Sequence, residues 1–347
     1  MDKLEKVGFD KRMDRAASFL VENDKIKEIK KKEKIEIIPI KDAIDKYGDF
    51  FFKLINKNEK YVKMVKEGTK NGYFIRIPKN MKVMLPVQTA FLLKEDKFEQ
   101  ILHNVIVVEE NARLDMISGC ASLPIKGLHA SVTEFYLKRN SYLTYTMIHD
   151  WGNEIEVYPR SAAYLEENST FISNYIALTS ARIIQSMPIA ILKENAITRF
   201  YSILYAKNES KFDVGAIAKL NGKGAKAEII SRVISDNSRV ISRGLIEGNA
   251  NGGKGHMECS GLIVGKGMIH TIPELKTNVE NVDLSHEAAI GKIAEEQLNY
   301  LMARGIEEEE AKSLLIRGFL DISIKGLPPH LKMAISKTID MMADSAI

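Results

Sequence analysis

Two cysteines, Cys120 and Cys259, and seven histidines are the soft and borderline donors in this chain of 347 residues. Cys259 lies in the stretch Gly255-His256-Met257-Glu258-Cys259-Ser260-Gly261, and His286-Glu287 begins 27 residues later. Thiolate, imidazole and carboxylate are ligands for iron or zinc. The same residues also read as a buried cysteine and a His–Glu pair at a helix start, and spacing alone leaves both readings open. Cys120 sits in Ser118-Gly119-Cys120-Ala121-Ser122, just after a strand-like run, and reads first as a buried thiol. His129, His149, Trp151, His256 and His270 add donors to the same middle part of the chain. Singly, each is an ordinary core or surface residue.

A second motif fails on inspection. Gly248, Gly253 and Lys254 satisfy the G-x-x-x-x-G-K pattern of a phosphate-binding loop. Gly255, however, stands where a Ser or Thr must hold Mg²⁺, and the following HMECSGLIV reads as a strand rather than the required helix. The segment is read as a glycine-rich turn, and the chain is not expected to hydrolyse ATP.

Composition excludes several classes. Two cysteines cannot build a disulfide scaffold or a closed Cys-rich metal site within one chain, and they suit a reducing compartment. A hydrophobic fraction of 45% with 28% charged residues is that of a folded protein. Net charge is +4, too small an excess to argue for nucleic acid. The run Lys30, Lys31, Lys32, Glu33, Lys34 is read as a solvated face ahead of the strand-like IEIIPI. The charged N-terminal stretch has no apolar signal region, and no run approaches the roughly 18 apolar residues of a membrane span. A cytoplasmic chain without a membrane partner is expected.

The elements that must position these residues fall into three zones. Residues 1–80 form a mixed, partly helical region, with helices expected over 10–22 and within 41–56. Residues 81–280 are rich in Val, Ile, Tyr and Thr in short alternating runs, the pattern of strands. Residues 281–347 read as helical, with a helix over 288–303 stopping at Arg304-Gly305 and another over 307–320 with acids in its first turn. Leu327-Pro328-Pro329 opens a last helix, in which Met333, Ile339, Met341 and Met342 are read as packing residues.

A repeat runs through the middle zone. Asn111, Asn140, Asn168, Asn195, Gly224 and Asn249 each precede a strand-like run, at steps of 29, 28, 27, 29 and 25. Asn and Gly accept the left-handed backbone of a tight corner. Each repeat holds about two strand runs, such as ARLDMIS and HASVTEFYLK. That is the signature of a β-solenoid, whose rungs bury their inner faces only by stacking. The period is not six, so a larger-rung parallel β-helix is expected, and spacing does not give its handedness.

One block carries a family resemblance. It runs from Cys259-Ser260-Gly261-Leu262 through Thr271-Ile272-Pro273-Glu274-Leu275 to Ser285-His286-Glu287-Ala288-Ala289-Ile290-Gly291-Lys292-Ile293. It continues through Glu295-Glu296-Gln297-Leu298, Tyr300-Leu301-Met302-Ala303-Arg304-Gly305-Ile306, Ala311 and Gly318-Phe319. With Gly119-Cys120, Leu128-His129-Ala130 and Trp151-Gly152 upstream, this block resembles the SufB/SufD family of iron–sulfur cluster assembly proteins over roughly residues 82–330, while the N-terminal zone matches weakly. The resemblance implies a right-handed parallel β-helix between helical N- and C-terminal regions. It implies a scaffold rather than an enzyme, which builds a transient Fe–S cluster on sulfur from a cysteine desulfurase and passes it to apo-proteins. Implied partners are a SufC-type ABC ATPase on the C-terminal helices, over 281–347, and a second subunit, either a paralogue or a second copy. By the same resemblance Cys259 would hold sulfur or cluster at the dimer interface with Glu287 and His286, and Cys120 would receive incoming sulfur. The chain departs from longer SufB proteins in lacking their N-terminal cysteine cluster, and reads as a compact member. Two other readings stand beside it: a SufD-like partner that ligates nothing, and a β-helix enzyme acting on polysaccharide.

Overall fold

The computed structural model describes residues 3–69, 71–123, 126–177, 180–320 and 333. It is mainly β, 56% strand and 15% helix, and forms a β-solenoid of about seven turns followed by small helices. The chain alternates between two facing sheets. The first holds, in spatial order, Lys25–Lys31, Ala17–Glu22, Val87–Leu93, Arg113–Ser122, Tyr142–Asp150, Thr170–Ala177, Ile197–Ala206, Lys226–Asp236, Gly253–Val264 and Val282–Lys292. The second runs from Glu36–Pro39 and Tyr73–Ile77 through Phe98–Val108, Lys126–Leu137, Glu154–Leu165, Ile183–Ser186 with Ile189–Leu192, Lys211–Leu220 and Arg239–Gly248 to Met268–Thr277. Every rung-to-rung pair is parallel; only the hairpin of Ala17–Glu22 with Lys25–Lys31 and the pair Glu36–Pro39 with Tyr73–Ile77 are antiparallel.

Alternation explains the core. In Lys211–Leu220, Phe212, Val214, Ala216, Ala218 and Leu220 are buried while the residues between them are not. The inward residues of both sheets merge into one hydrophobic cluster that runs from Phe19 to Cys259. A buried Val, Leu, Ile or Phe contributes about 1.5–3 kcal/mol, so each added rung stabilises its neighbours.

The repeat has a direct structural cause. Asn80, Asn111, Asn140, Asn168 and Asn195 have φ between 53° and 63°, and Gly224 and Gly252 continue the column with φ of 69° and 74°. The side chains form a ladder: Asn140 Nδ2 donates to Asn111 Oδ1 at 2.9 Å, and Asn168 Nδ2 donates to Asn140 Oδ1 at 3.2 Å. The column's last corner is therefore Gly252, not Asn249, and the anomalous final step of 25 becomes 28. Asn249 belongs to a second ladder with Asn221 and Asn278. Asn140→Ala loses two ladder bonds and replaces a residue that tolerates the left-handed region with one that does not, a region that costs most residues roughly 1–2 kcal/mol. Asn140→Gly keeps the backbone and should lose less. Urea unfolding of both variants checks the order; equal losses would mean the corner is not set by φ.

Two helical expectations need correction. Residues 10–22 are not a helix. They form a turn and then the strand Ala17–Glu22, which buries Phe19 and Val21 in the core and Leu20 on the opposite face. Apolar residues covered on both faces mimic helical spacing. Residues 288–303 are split: 288–292 finish the strand Val282–Lys292, and the helix is Glu295–Ala303. Register with Gly253–Val264 overrides the helix preference of the Ala pair Ala288-Ala289. Three other local expectations hold. The helix Ile40–Tyr47 falls within 41–56 up to one residue, Glu308–Leu320 forms, and Gly305 stops the preceding helix at φ 87°. The glycine-rich segment after Gly248 is a turn between two strands. The expected last helix, with Ile339, Met341 and Met342, lies outside the described residues; Met333, expected to pack, is 68% exposed.

Short elements cover the outer faces. Ile40–Tyr47 and Lys60–Gly68 lie on the second sheet, where Tyr47 stacks on Phe74 at 4.2 Å and Tyr61 on Tyr158 at 3.8 Å. On the first sheet, Leu4, Val7 and Phe9 share a cluster with Ile316 and Leu320 of Glu308–Leu320. Gly119 permits this approach, since a Cβ there would lie 2.4 Å from the Val7 carbonyl oxygen. The two ends of the solenoid differ. At the N-terminal end, Lys25–Lys31 presents exposed lysines, which discourage edge pairing. At the other end, Met268–Thr277 and Val282–Lys292 are both edge strands, and the latter carries no lysine before its last residue.

Candidate functional site: two cysteines on one inner face

Cys259 lies on the inner face of Gly253–Val264, in the last rung but one, and is 2% exposed. Burial pushes its thiol up, partly offset by the Ser242 hydroxyl from the facing sheet. In strand register its neighbours are Ser231 on one side and Ala288 on the other. Ser231 Oγ and Ser242 Oγ lie 3.3 Å apart and bridge the two sheets beside the thiol.

His286 and Glu287 are on the adjacent strand but part company. His286 is in register with Met257 and Glu287 with Glu258. Since alternate residues point to opposite faces, His286 shares the inner face with Cys259, two residues from its direct neighbour. Glu287 faces outward. His286 is exposed although it belongs to the inner face, because no further rung covers it among the described residues. Glu287 stands beside Glu258, whose carboxylate is held by Arg232 at 2.6 Å, and near His256, whose Nδ1 lies 3.0 Å from Ser285 Oγ. No three His, Cys, Asp or Glu side chains converge as a metal site among the described residues.

Cys120 also lies on the inner face of the first sheet, in Arg113–Ser122, and is fully buried. Desolvation pushes its thiol up, so it is held as the neutral form. Its Sγ lies 3.7 Å from Met147 Sδ, and His149 is its register neighbour. Burial lowers His129 to about 3, with Nδ1 2.9 Å from Gln100 Oε1, and lowers His149 strongly. His129 and Trp151 rings pack at 4.8 Å, so the tryptophan, like the two histidines, is interior. His270 is exposed on an edge strand.

Between the cysteines the register defines one inward column: Ser118, Met147, Tyr175, Ser202, Ser231, Cys259. A partly open cavity of about 60 Å³ lies along its middle, with Ser131, Thr133, Ser173 and Ser202 set in a mostly apolar wall that includes Phe135 and Phe171. A water needs about 10–15 Å³ of such space, so the cavity has room for several. Sequence reading missed this lane. Its signal was present: Tyr175, Ser202, Ser231 and Cys259 follow one another at 27, 29 and 28 residues, the period of the corners, and put hydroxyls where inward apolar residues are expected.

Comparison with known proteins gives the family. Residues 91–319 match the profile of the SufBD core domain of SUF-system FeS cluster assembly. An iron–sulfur cluster assembly SufBD family protein of Archaeoglobus fulgidus is 45% identical over 315 residues, covering 89% of this chain and 85% of that protein. One from Methanothermobacter thermautotrophicus is 38% identical, covering 98% and 87%. The iron–sulfur cluster assembly protein SufB of Bacillus subtilis is 32% identical over 286 residues, which span 80% of this chain and 61% of its own length. The profile takes in both cysteines, the lane between them and the edge strands that follow. The chain therefore belongs to the SufBD family of the SUF iron–sulfur cluster assembly system.

Proposed function

We propose that this chain is a scaffold subunit, not a catalyst: sulfur enters at Cys120, an Fe–S cluster is assembled at Cys259, and the cluster leaves for apo-proteins. The single observation that carries the reading is the register, which puts both cysteines on one inner face with a hydroxyl-lined lane between them. Five strand steps separate them, about 24 Å at 4.8 Å per step. The thiols do not meet, so sulfur cannot pass directly from one to the other in this conformation, and Tyr175, Ser202 and Ser231 are the polar groups between them. Thiolate is the iron ligand, and imidazole or carboxylate from His286 and Glu287 ligates more weakly, which suits a cargo that must leave.

The open end supports pairing with a second copy or a paralogue. Both sheets stop there at unpaired strands, and His286 lies at that boundary with Cys259 one strand behind. In-line pairing of two such edges would bring the two His286 together and leave the Cys259 strands about 14 Å apart. Cys259 and His286 on the inner face are then the nearest ligand pair, and Glu287 would act from outside.

The partner ATPase, of the SufC type, is assigned to the C-terminal helices. Tyr300, Met302 and Leu314 are exposed apolar side chains on Glu295–Ala303 and Glu308–Leu320, whereas Ile316 and Leu320 are spent on packing. A charge at Leu314 removes docking surface without opening the core. The test is co-purification with the organism's ABC ATPase: Leu314→Asp should reduce capture at least tenfold with unchanged circular dichroism, and full retention would count against docking there. The cytoplasm is the expected site of action; no described helix is long and apolar enough to cross a membrane.

A further inference from the structure

The chamber around Cys120 has the chemistry of a metal site that the scaffold reading does not require. Three soft or borderline donors share one inner face. Cys120 Sγ and Met147 Sδ are 3.7 Å apart, and His149, two residues along from Met147, is the direct register neighbour of Cys120. His149 is 1% exposed, and its Nε2 has no hydrogen-bond partner. Its other nitrogen, Nδ1, lies 3.0 Å from Tyr175 Oη. A ring fixed through one nitrogen with the other buried and unpartnered is the usual posture of a metal-binding histidine.

We propose that Cys120, Met147 and His149 form a buried site for a soft monovalent cation, with Cu(I) as the natural occupant. Thiolate and thioether select soft ions, and imidazole completes a three-coordinate set. Charge argues for the monovalent ion. Cu⁺ replaces the Cys120 proton, which leaves as H⁺ with no change of oxidation state, and the resulting thiolate–Cu(I) unit is neutral. A divalent ion would leave a net positive charge at a buried site, at a desolvation cost. Occupation would also mask Cys120 from any sulfur chemistry. The site rests on donor geometry alone and stands whether or not Cys120 handles sulfur.

The test is an anaerobic titration with Cu(I), buffered by a chromophoric Cu(I) chelator, on the full chain carrying Cys259→Ala so that Cys120 is its one thiol. The expected result is one Cu(I) per chain, with an X-ray absorption edge fitted by two sulfurs and one nitrogen. Tyr175→Phe, which removes only the group holding His149, should weaken binding about 10–100-fold. Met147→Leu, close in volume, should remove one sulfur from the fit. Binding that persists with Cys120→Ser, no binding by a chain whose circular dichroism is intact, or unchanged affinity in both Tyr175→Phe and Met147→Leu would each overturn the proposal.

Discussion

Glu134→Ala should destabilise the solenoid by about 3–5 kcal/mol, the largest loss expected from any single substitution on its outer faces. Glu134 is fully buried on the outer face of Lys126–Leu137. Its carboxylate accepts from the backbone N–H of Phe52 at 2.6 Å, Lys53 at 2.8 Å and Leu54 at 2.9 Å, and lies 3.0 Å from His103 Nε2. Tyr136 Oη adds a longer contact at 3.4 Å. One charge thus satisfies four close donors. Removing it leaves buried His103 and three amides of a half-exposed loop without this acceptor, and each group that stays buried costs about 1–3 kcal/mol. The carboxylate also holds the chain where Phe52 adopts φ 53°, an unfavourable backbone for a bulky residue. Phe51 and Phe52 pack on His103 at 5.3 and 4.1 Å, so the loop should detach as a unit. Urea unfolding measures the loss, and hydrogen exchange at the Phe52, Lys53 and Leu54 amides locates it. A change below about 1 kcal/mol would show that the carboxylate does not hold the loop.

Such a clamp is invisible in sequence, because the contacts join residues 80–82 apart and one partner is backbone. The solenoid itself was legible. Its corners need left-handed residues once per rung, and Asn or Gly at a near-constant spacing reveals them without any contact information. That signal failed once, at Asn249, because a second Asn ladder lies three residues from the true corner at Gly252. It says nothing of residues 10–22, which join the first sheet through a hairpin outside the repeat. The Ala pair at 288–289 is a helix former that strand register recruits.

The candidate site was legible in part for a related reason. Period alone sets Cys259 and His286-Glu287 on neighbouring strands, but only register decides faces. A shift of one residue in pairing exchanges inside and outside. His286 falls with Cys259 and Glu287 does not, a distinction that spacing of 27 against 28 residues cannot express. The hydroxyl lane was missed because a single serine among inward apolar residues carries no meaning until its column is known.

Cys259→Ala should leave a folded chain that no longer holds a cluster. The side chain is small, and its burial on the inner face contributes about 1 kcal/mol, the ordinary loss for a point substitution. Ser231 and Ser242 still bond to each other, so the two sheets stay bridged. The effect on chemistry is total in the proposed account, because Cys259 is the one strong iron ligand at the open end, and His286 and Glu287 point to different faces. Cys120 cannot substitute from about 24 Å away. The decisive measurement is anaerobic reconstitution with iron and sulfide, followed by visible absorption and by iron and acid-labile sulfide counted per chain. The proposed account predicts sulfur-to-iron charge-transfer bands in the native chain and their loss in Cys259→Ala at equal circular dichroism. The same bands, with the same iron and sulfide per chain in Cys259→Ala, would contradict it.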